Sequence, residues 1–120
     1  MRRTLFLSVA LFGFNATASV EGDLGRNAFV VGMCQTYASS GRVFELFSEQ
    51  GKSASELWDA SRMDVLTSAV VHRVDTRTRD FLTWGKEKAY LDLERMSPQA
   101  AYQKNHCSSY LMSIYGHKYD

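Results

Sequence analysis

Two cysteines constrain this chain more than any other feature. Cys34 and Cys107 are its only cysteines, and they lie 73 positions apart. Each sits in a stretch whose apolar residues recur at i, i+3, i+4 and i+7, the spacing of one helix face. A bridge between them would join the first helix to the last, and a loop of that size contributes about 4 kcal/mol in the chain-entropy model. We interpret the pair as a structural disulfide; two free buried thiols or a nucleophilic Cys107 are the alternatives.

The amino-terminal segment has the pattern of an export signal. A basic start, Met1-Arg2-Arg3-Thr4, precedes an apolar run from Leu5 to Phe14, and Ala16-Thr17-Ala18 has the small-x-small form of a cleavage site. The apolar run has about half of the roughly 20 residues that a spanning helix needs, which disfavours an uncleaved anchor. We therefore predict a signal peptide at 1–18, cleaved after Ala18, and an exported domain at 19–120. This domain would have no membrane span and would lie in the periplasm, where disulfides persist.

Length and charge narrow the functional classes. The domain left after cleavage has about 100 residues, which is the common size for one core. The chain has 14 Lys and Arg against 13 Asp and Glu, and removal of Arg2 and Arg3 gives a net charge of about −1. Nucleic acids and anionic membrane surfaces attract a basic excess, so neither is an expected partner.

The local signals predict an all-α fold, a single small domain of four to five helices. We expect a first helix from about Asp23 to Ser39, ended at Gly41, and a short segment over 42–50. Ser53-Ala54-Ser55-Glu56 is a capping box, which opens a helix with Leu57, Trp58 and Met63 on its buried side. Ser97 and Pro98 would open the final helix, which runs through Cys107 and closes at Gly116.

The middle of the chain is ambiguous. From Asp64, a plausible N-cap, to about Trp84, apolar residues roughly keep one helical face, and Gly85-Lys86 would break that helix. The stretch 70–78 is rich in β-branched residues and partly alternates, so a strand is the alternative. Because no second strand stands out as its partner, we favour the helix.

No arrangement of residues predicts an enzyme, a metal site or a cofactor. His106 and Cys107 are adjacent, so on a helix their side chains point about 100° apart, which is unsuitable for a nucleophile and its base. The histidines 72, 106 and 117 are not spaced as paired metal ligands, even with Asp120 as a fourth group. Asp92 and Glu94 are two apart and would lie on different sides of a helix. We found no G-x-S-x-G, CxxC or phosphate-binding glycine loop.

Two polar stretches are candidates for binding a protein partner. One is the charged run 73–80, from which Arg73, Arg77 and Arg79 would contact the partner, since arginine is enriched at interfaces. Its alternative is a solvated face of ion-paired residues such as Asp75 and Arg79 at i, i+4. The other is the loop 48–55, whose candidate contacts are Glu49, Gln50, Lys52 and Ser53.

The chain resembles the periplasmic amidase-immunity proteins of type VI secretion systems. The resemblance rests on the segments 30–37 (VVGMCQTY) and 106–111 (HCSSYL), within an exported helical domain that has one cysteine near each end. It implies an all-α and often dimeric protein that plugs the active site of a cell-wall amidase toxin, with the loop 48–55 as a candidate inserting segment. We therefore expect a non-enzymatic binding or inhibitor protein. An envelope structural or secretion-accessory component is the alternative, followed by a small periplasmic enzyme.

Overall fold

The fold is organised around its first helix. The computed structural model describes residues 7–40 and 53–115, with side-chain surroundings for 23–40 and 53–113. Five helices follow in the described parts of the chain: α1 (Leu7–Ser40), α2 (Ala54–Val71), α3 (Asp75–Leu93), α4 (Pro98–Lys104) and α5 (Cys107–Tyr115). The predicted all-α architecture is confirmed. The predicted cleavage position after Ala18 lies inside α1, and the predicted segment 42–50 lies outside the described residues.

The helices α1 and α3 meet backbone to backbone at two glycines. A Cβ atom on Gly32 would lie 2.2 Å from the carbonyl oxygen of Leu82, and one on Gly85 would lie 2.0 Å from that of Phe29. No side chain fits at either position, so the two helices contact each other through their main chains. Gly85 lies inside α3, and the prediction that it breaks a helix is wrong. We call this contact the glycine seam.

The capping box of α2 is confirmed. The Ser53 hydroxyl accepts from the Glu56 amide at 3.2 Å, and Glu56 Oε1 accepts from the Ser53 amide at 3.0 Å. Leu57 and Trp58 are buried as predicted, whereas Met63 is 60% exposed. Trp58 donates through Nε1 to the Tyr102 hydroxyl at 2.9 Å, which joins α2 to α4 inside the core.

The predicted helix over 64–84 is interrupted, and the strand alternative is also wrong. The helix α2 ends at Val71, and Asp64 lies within it rather than at its N-cap. Arg73 adopts a positive φ of 61°, with its amide bonded to the Val70 carbonyl and the Val74 amide bonded to the Ala69 carbonyl. These two hydrogen bonds form a Schellman motif, in which Arg73 occupies the position with positive φ that is usually a glycine. An arginine at that position gives no sequence signal for a turn.

The predicted final helix is two helices. Ser97 caps α4 by accepting from the Ala100 amide, and Pro98 occupies the first turn, as expected. The helix then ends at Lys104, because His106 has a φ of 58° and turns the chain. The His106 carbonyl accepts from the Tyr110 amide at 3.1 Å, so the same residue begins α5. The turn changes the direction of the chain immediately before Cys107.

The predicted disulfide is confirmed. Cys34 and Cys107 are bonded with their Cα atoms 5.8 Å apart, and both side chains are fully buried. The bond joins the carboxyl-terminal part of α1 to the first residue of α5, so the interpretations with free thiols or a nucleophilic Cys107 are wrong. Around it lies a core that includes Val31, Tyr37 and Ala101. Among the described helices, none has the length and apolar character needed to cross a membrane.

Candidate binding groove

An open groove lies on one side of the glycine seam, between α1, α3 and the turn that joins α4 to α5. Its volume is about 590 Å³. Five side chains form an apolar lining: Phe29, Val30, Met33, Phe81 and Tyr110. Aromatic residues and methionine are the side chains most enriched in the centres of protein interfaces, and methionine adapts its shape to a partner. We call this feature the groove.

The charged residues that line the groove are all basic. Arg26, Lys88 and Lys104 line it together with the imidazole of His106, and no carboxylate of a described residue does. Arg26 pairs with Asp23, and Lys88 Nζ lies 2.6 Å from Asp92 Oδ2. Lys104 makes no ion pair with another described residue. Lys104 is therefore the lining cation whose charge stays unpaired among the described residues, and an unpaired cation beside an apolar lining favours a ligand with apolar and anionic parts.

A ring of four polar side chains fixes one end of the groove. The Tyr37 hydroxyl donates to Asp92 Oδ2, and Lys88 Nζ donates to the same oxygen. Lys88 also donates to Asn105 Oδ1 at 3.2 Å, and Asn105 Nδ2 donates to the Tyr37 oxygen at 3.1 Å. The ring joins α1, α3 and the end of α4. Because Lys88 and Asn105 line the groove, the ring holds two lining residues in place.

The pKa values in this ring indicate a positioning role. Burial raises the pKa of Tyr37 well above its ordinary value, and the hydrogen bond to Asp92 and its charge raise it further, while Asn105 opposes them. Burial also acts to raise the pKa of Asp92, but the hydrogen bonds from Lys88 and Tyr37 and the charges of Lys88 and Lys104 outweigh it and lower that pKa. The ring thus holds a neutral phenol against an ionised carboxylate, which aligns donors and acceptors.

The apolar surface continues beyond the groove along α3. Trp84 packs edge to face against Phe81, with ring centroids 5.0 Å apart, and is 50% exposed. Leu91 follows Trp84 by seven positions, so it lies on the same face of α3, and it is 60% exposed. Tyr110 on the opposite wall is 43% exposed. Trp84 and Leu91 are thus exposed apolar side chains of α3 that lie outside the lining of the groove, with Lys88 between them on the same helix face.

The residues predicted to bind a partner do not gather at the groove. Glu49, Gln50 and Lys52 lie outside the described residues, and Ser53 is the N-cap of α2. Arg73 lies in the turn between α2 and α3, so it does not share a helix face with Arg77. Arg77 and Arg79 both lie exposed on α3, about 200° apart around its axis. No ion pair joins Asp75 to Arg79 in the described part of the chain.

The other chemical candidates are also dispersed. His72 bonds through Nδ1 to the Ser68 carbonyl at the end of α2, and His117 lies outside the described residues. Within the described residues, no three His, Cys, Asp or Glu side chains gather as metal ligands do. Asp92 belongs to the polar ring, whereas Glu94 is the C-cap of α3. Sequence reasoning missed the groove because α1 contributes its lining residues at 26–33, whereas α3 and the turn between α4 and α5 contribute theirs at 81–110.

Comparison of the chain with models of known protein families, with curated proteins and with solved structures finds no match.

Proposed function

We propose that this protein is a non-enzymatic binding protein of the bacterial envelope, and that its groove binds an acidic segment of a protein partner. The observation that carries the proposal is the combination of an apolar lining with charged residues of one sign. An apolar side chain of the partner would enter between Phe29, Met33 and Phe81. Carboxylates beside that side chain would face Arg26 and Lys104.

The extent of the apolar surface favours a protein segment over a small molecule. Trp84 packs on Phe81 outside the groove, and Leu91 is exposed on the same face of α3. A small amphiphile would fill the groove and leave these side chains in water, whereas a peptide or helix would cover them as well. Large exposed apolar patches with polar edges are typical of protein interfaces.

The groove is also suited to tight binding because it is held in shape before a partner arrives. The disulfide, the glycine seam and the polar ring each fix a different wall of the groove. A preorganised surface loses little conformational entropy on binding, so more of the contact energy appears as affinity. Inhibitors that act by occlusion need this property, since they must outcompete substrate.

Location and partner class are parts of the same proposal. A buried disulfide suits an oxidising compartment, which agrees with the signal pattern at 1–18 and supports a periplasmic location. The sharpest form of the proposal is an immunity protein whose partner is a cell-wall amidase toxin. The acidic segment that occupies the groove would then belong to that toxin. A second copy of this chain could bind beside it, as the resemblance to dimeric proteins implies.

Site-directed photo-cross-linking in the periplasm tests the proposal. A benzophenone amino acid at Tyr110 places the reactive group in the groove, and the same group at Met63, exposed on α2, serves as the control. We expect a discrete adduct from position 110 alone, with a linked peptide that carries both carboxylates and an apolar side chain. Adducts of equal yield from both positions, or lipid adducts from position 110, would overturn it.

The identity of the cross-linked protein separates the three functional classes. An amidase-like toxin encoded beside this gene, which loses activity in a one-to-one or two-to-two complex, would establish the immunity form. A secretion or envelope component in a stable complex would establish the accessory role. A neighbouring hydrolase that neither binds the purified domain nor loses activity would exclude immunity.

A further inference from the structure

A second opening lies on the other side of the glycine seam, where α2 faces α1 and α3. It consists of two neighbouring hollows of about 340 and 230 Å³ that share the lining residues Gln35, Arg62 and Lys86. Three helices contribute these residues, one side chain from each. We call the two hollows together the polar cleft.

Most hydroxyl groups that line the polar cleft already have acceptors, whereas that of Tyr90 has none among the described residues. Three of them, on Thr36, Ser39 and Thr83, donate to carbonyl oxygens one turn earlier in their own helices, at 2.7, 2.8 and 3.1 Å. Their hydrogens are therefore engaged within the protein. The strongest donors that remain for a ligand are cationic, and these groups require a ligand rich in acceptor oxygens.

Three cations line the polar cleft, and none has a partner among the described residues. Arg62 comes from α2, and Arg79 and Lys86 come from α3. No hydrogen bond or ion pair joins any of the three to another described side chain. Among the described residues, the carboxylate bonded to a lining side chain is that of Asp59, which accepts from Gln35 Nε2. Three like charges around one opening repel one another until an anion enters between them.

We propose that the polar cleft binds a small soluble oxyanion that carries two anionic groups, of the diphosphate class. A planar guanidinium donates two parallel hydrogen bonds to one oxyanion group, which suits Arg62 at the shared wall. Lys86 acts as a point charge on the other side of the same opening, and Arg79 extends the basic lining. The site is separate from the groove, which lies across the glycine seam and is lined by different residues.

Titration with inorganic pyrophosphate at fixed ionic strength tests this site, with amide NMR shifts as the readout. We expect saturable shifts at Gln35, Arg62 and Lys86, with one ligand bound per chain. The variants Arg62→Gln and Lys86→Gln should each weaken binding about tenfold, the effect of one charge-assisted hydrogen bond. Arg95→Gln removes the same charge from the turn after α3, away from the cleft, and should leave the affinity unchanged.

Each other outcome overturns the proposal. Shifts that do not saturate, or that map to Lys104 and Arg26, would show general attraction to positive charge. An equal loss of affinity in Arg95→Gln would show the same. A parallel titration with vesicles of phosphatidylglycerol separates the sources of phosphate, and binding to vesicles without binding to pyrophosphate would assign the cleft to a membrane surface. Circular dichroism of each variant verifies that its helices are intact.

Discussion

Gly85 of α3 lies against the main chain of Phe29 in α1, so closely that a Cβ atom there would stand 2.0 Å from the Phe29 oxygen. Phe29 also lines the groove, so this contact connects the packing of the two longest helices with the shape of the binding surface. The position of the groove wall depends on a residue that has no side chain.

Alanine at the glycine seam should therefore destabilise the protein. Gly85→Ala and Gly32→Ala each force two helix backbones apart, and we expect a loss of about 2 to 3 kcal/mol in the free energy of unfolding. The gain of about 1 kcal/mol in helix propensity is too small to offset it. Gly25→Ala is the matched control, because the three atoms nearest its Cβ belong to the Phe81 ring rather than to a main chain, and a side chain moves more easily than a helix backbone. Urea denaturation of the three variants measures the difference in the free energy of unfolding. Equal losses of stability in all three would contradict a backbone contact at the glycine seam.

The disulfide should supply a large part of the stability. Replacing both Cys34 and Cys107 by alanine opens a loop of 73 positions, and we expect a loss of about 4 kcal/mol. For a domain of this size that corresponds to a fall in Tm of roughly 15 to 30 °C. The control is thermal unfolding of the reduced wild-type protein, whose Tm should be similar to that of the double variant. A double variant that melts with the oxidised wild type would show that the bond contributes little.

Arg73 holds a backbone conformation that suits glycine. A non-glycine residue with φ near 60° costs about 1 kcal/mol, so Arg73→Gly should raise the stability by about that amount. Arg73→Ala also removes the side chain but keeps the Cβ atom, and it should give no gain. The difference between the two variants in chemical denaturation isolates the backbone effect. Equal stabilities would mean that the left-handed turn is not strained.

The pKa of Asp92 gives a dependence on pH with a defined sign. This pKa is lowered from 3.8 in the folded protein, so the unfolded chain binds more protons at this site. The resulting stabilisation is complete above pH 3.8 and is lost as the pH falls through the lower folded value. Asp92→Asn should therefore cost about 1 kcal/mol at pH 7 and progressively less below pH 3.8. Urea unfolding at pH 7 and pH 3 measures this change.

The control for Asp92 is Asp80→Asn on the same helix. Asp80 is exposed and makes no hydrogen bond to another described residue, so its substitution should change stability little at either pH. A cost of Asp92→Asn that is the same at pH 7 and pH 3 would contradict an ionised carboxylate in the polar ring.

Sequence reasoning succeeded where a short local signal determines the structure. The caps at Ser53 and Ser97 follow from residue types at fixed offsets, and the disulfide follows because the chain has only two cysteines, each on an apolar helix face. It failed at Arg73 and His106, because both adopt positive φ without being glycine. Local backbone hydrogen bonds close both turns, and neither residue type indicates from the sequence that its φ will be positive.

Gly85 also shows that local sequence signals cannot reveal tertiary contacts, because here a glycine predicted to end a helix lies inside one. Glycine commonly ends a helix, so the sequence favoured a break, yet the close approach of α1 is what requires a residue without a side chain. The groove could not be predicted for a related reason. Phe29, Phe81 and Tyr110 each have the pattern of a core residue, and only their relative placement leaves an opening between them.

The most direct test of the central claim is the affinity of the cross-linked partner segment for the groove, measured as a synthetic peptide. Emission from Trp84, which packs on Phe81, reports binding, while the other tryptophan, Trp58, is fully buried. We expect Lys104→Glu and Tyr110→Ser each to weaken binding at least about tenfold, and Arg95→Glu and Met63→Ser to leave it unchanged. The affinity should also fall as salt rises. Equal affinity for all four variants, independent of salt, would contradict an acidic segment bound in the groove.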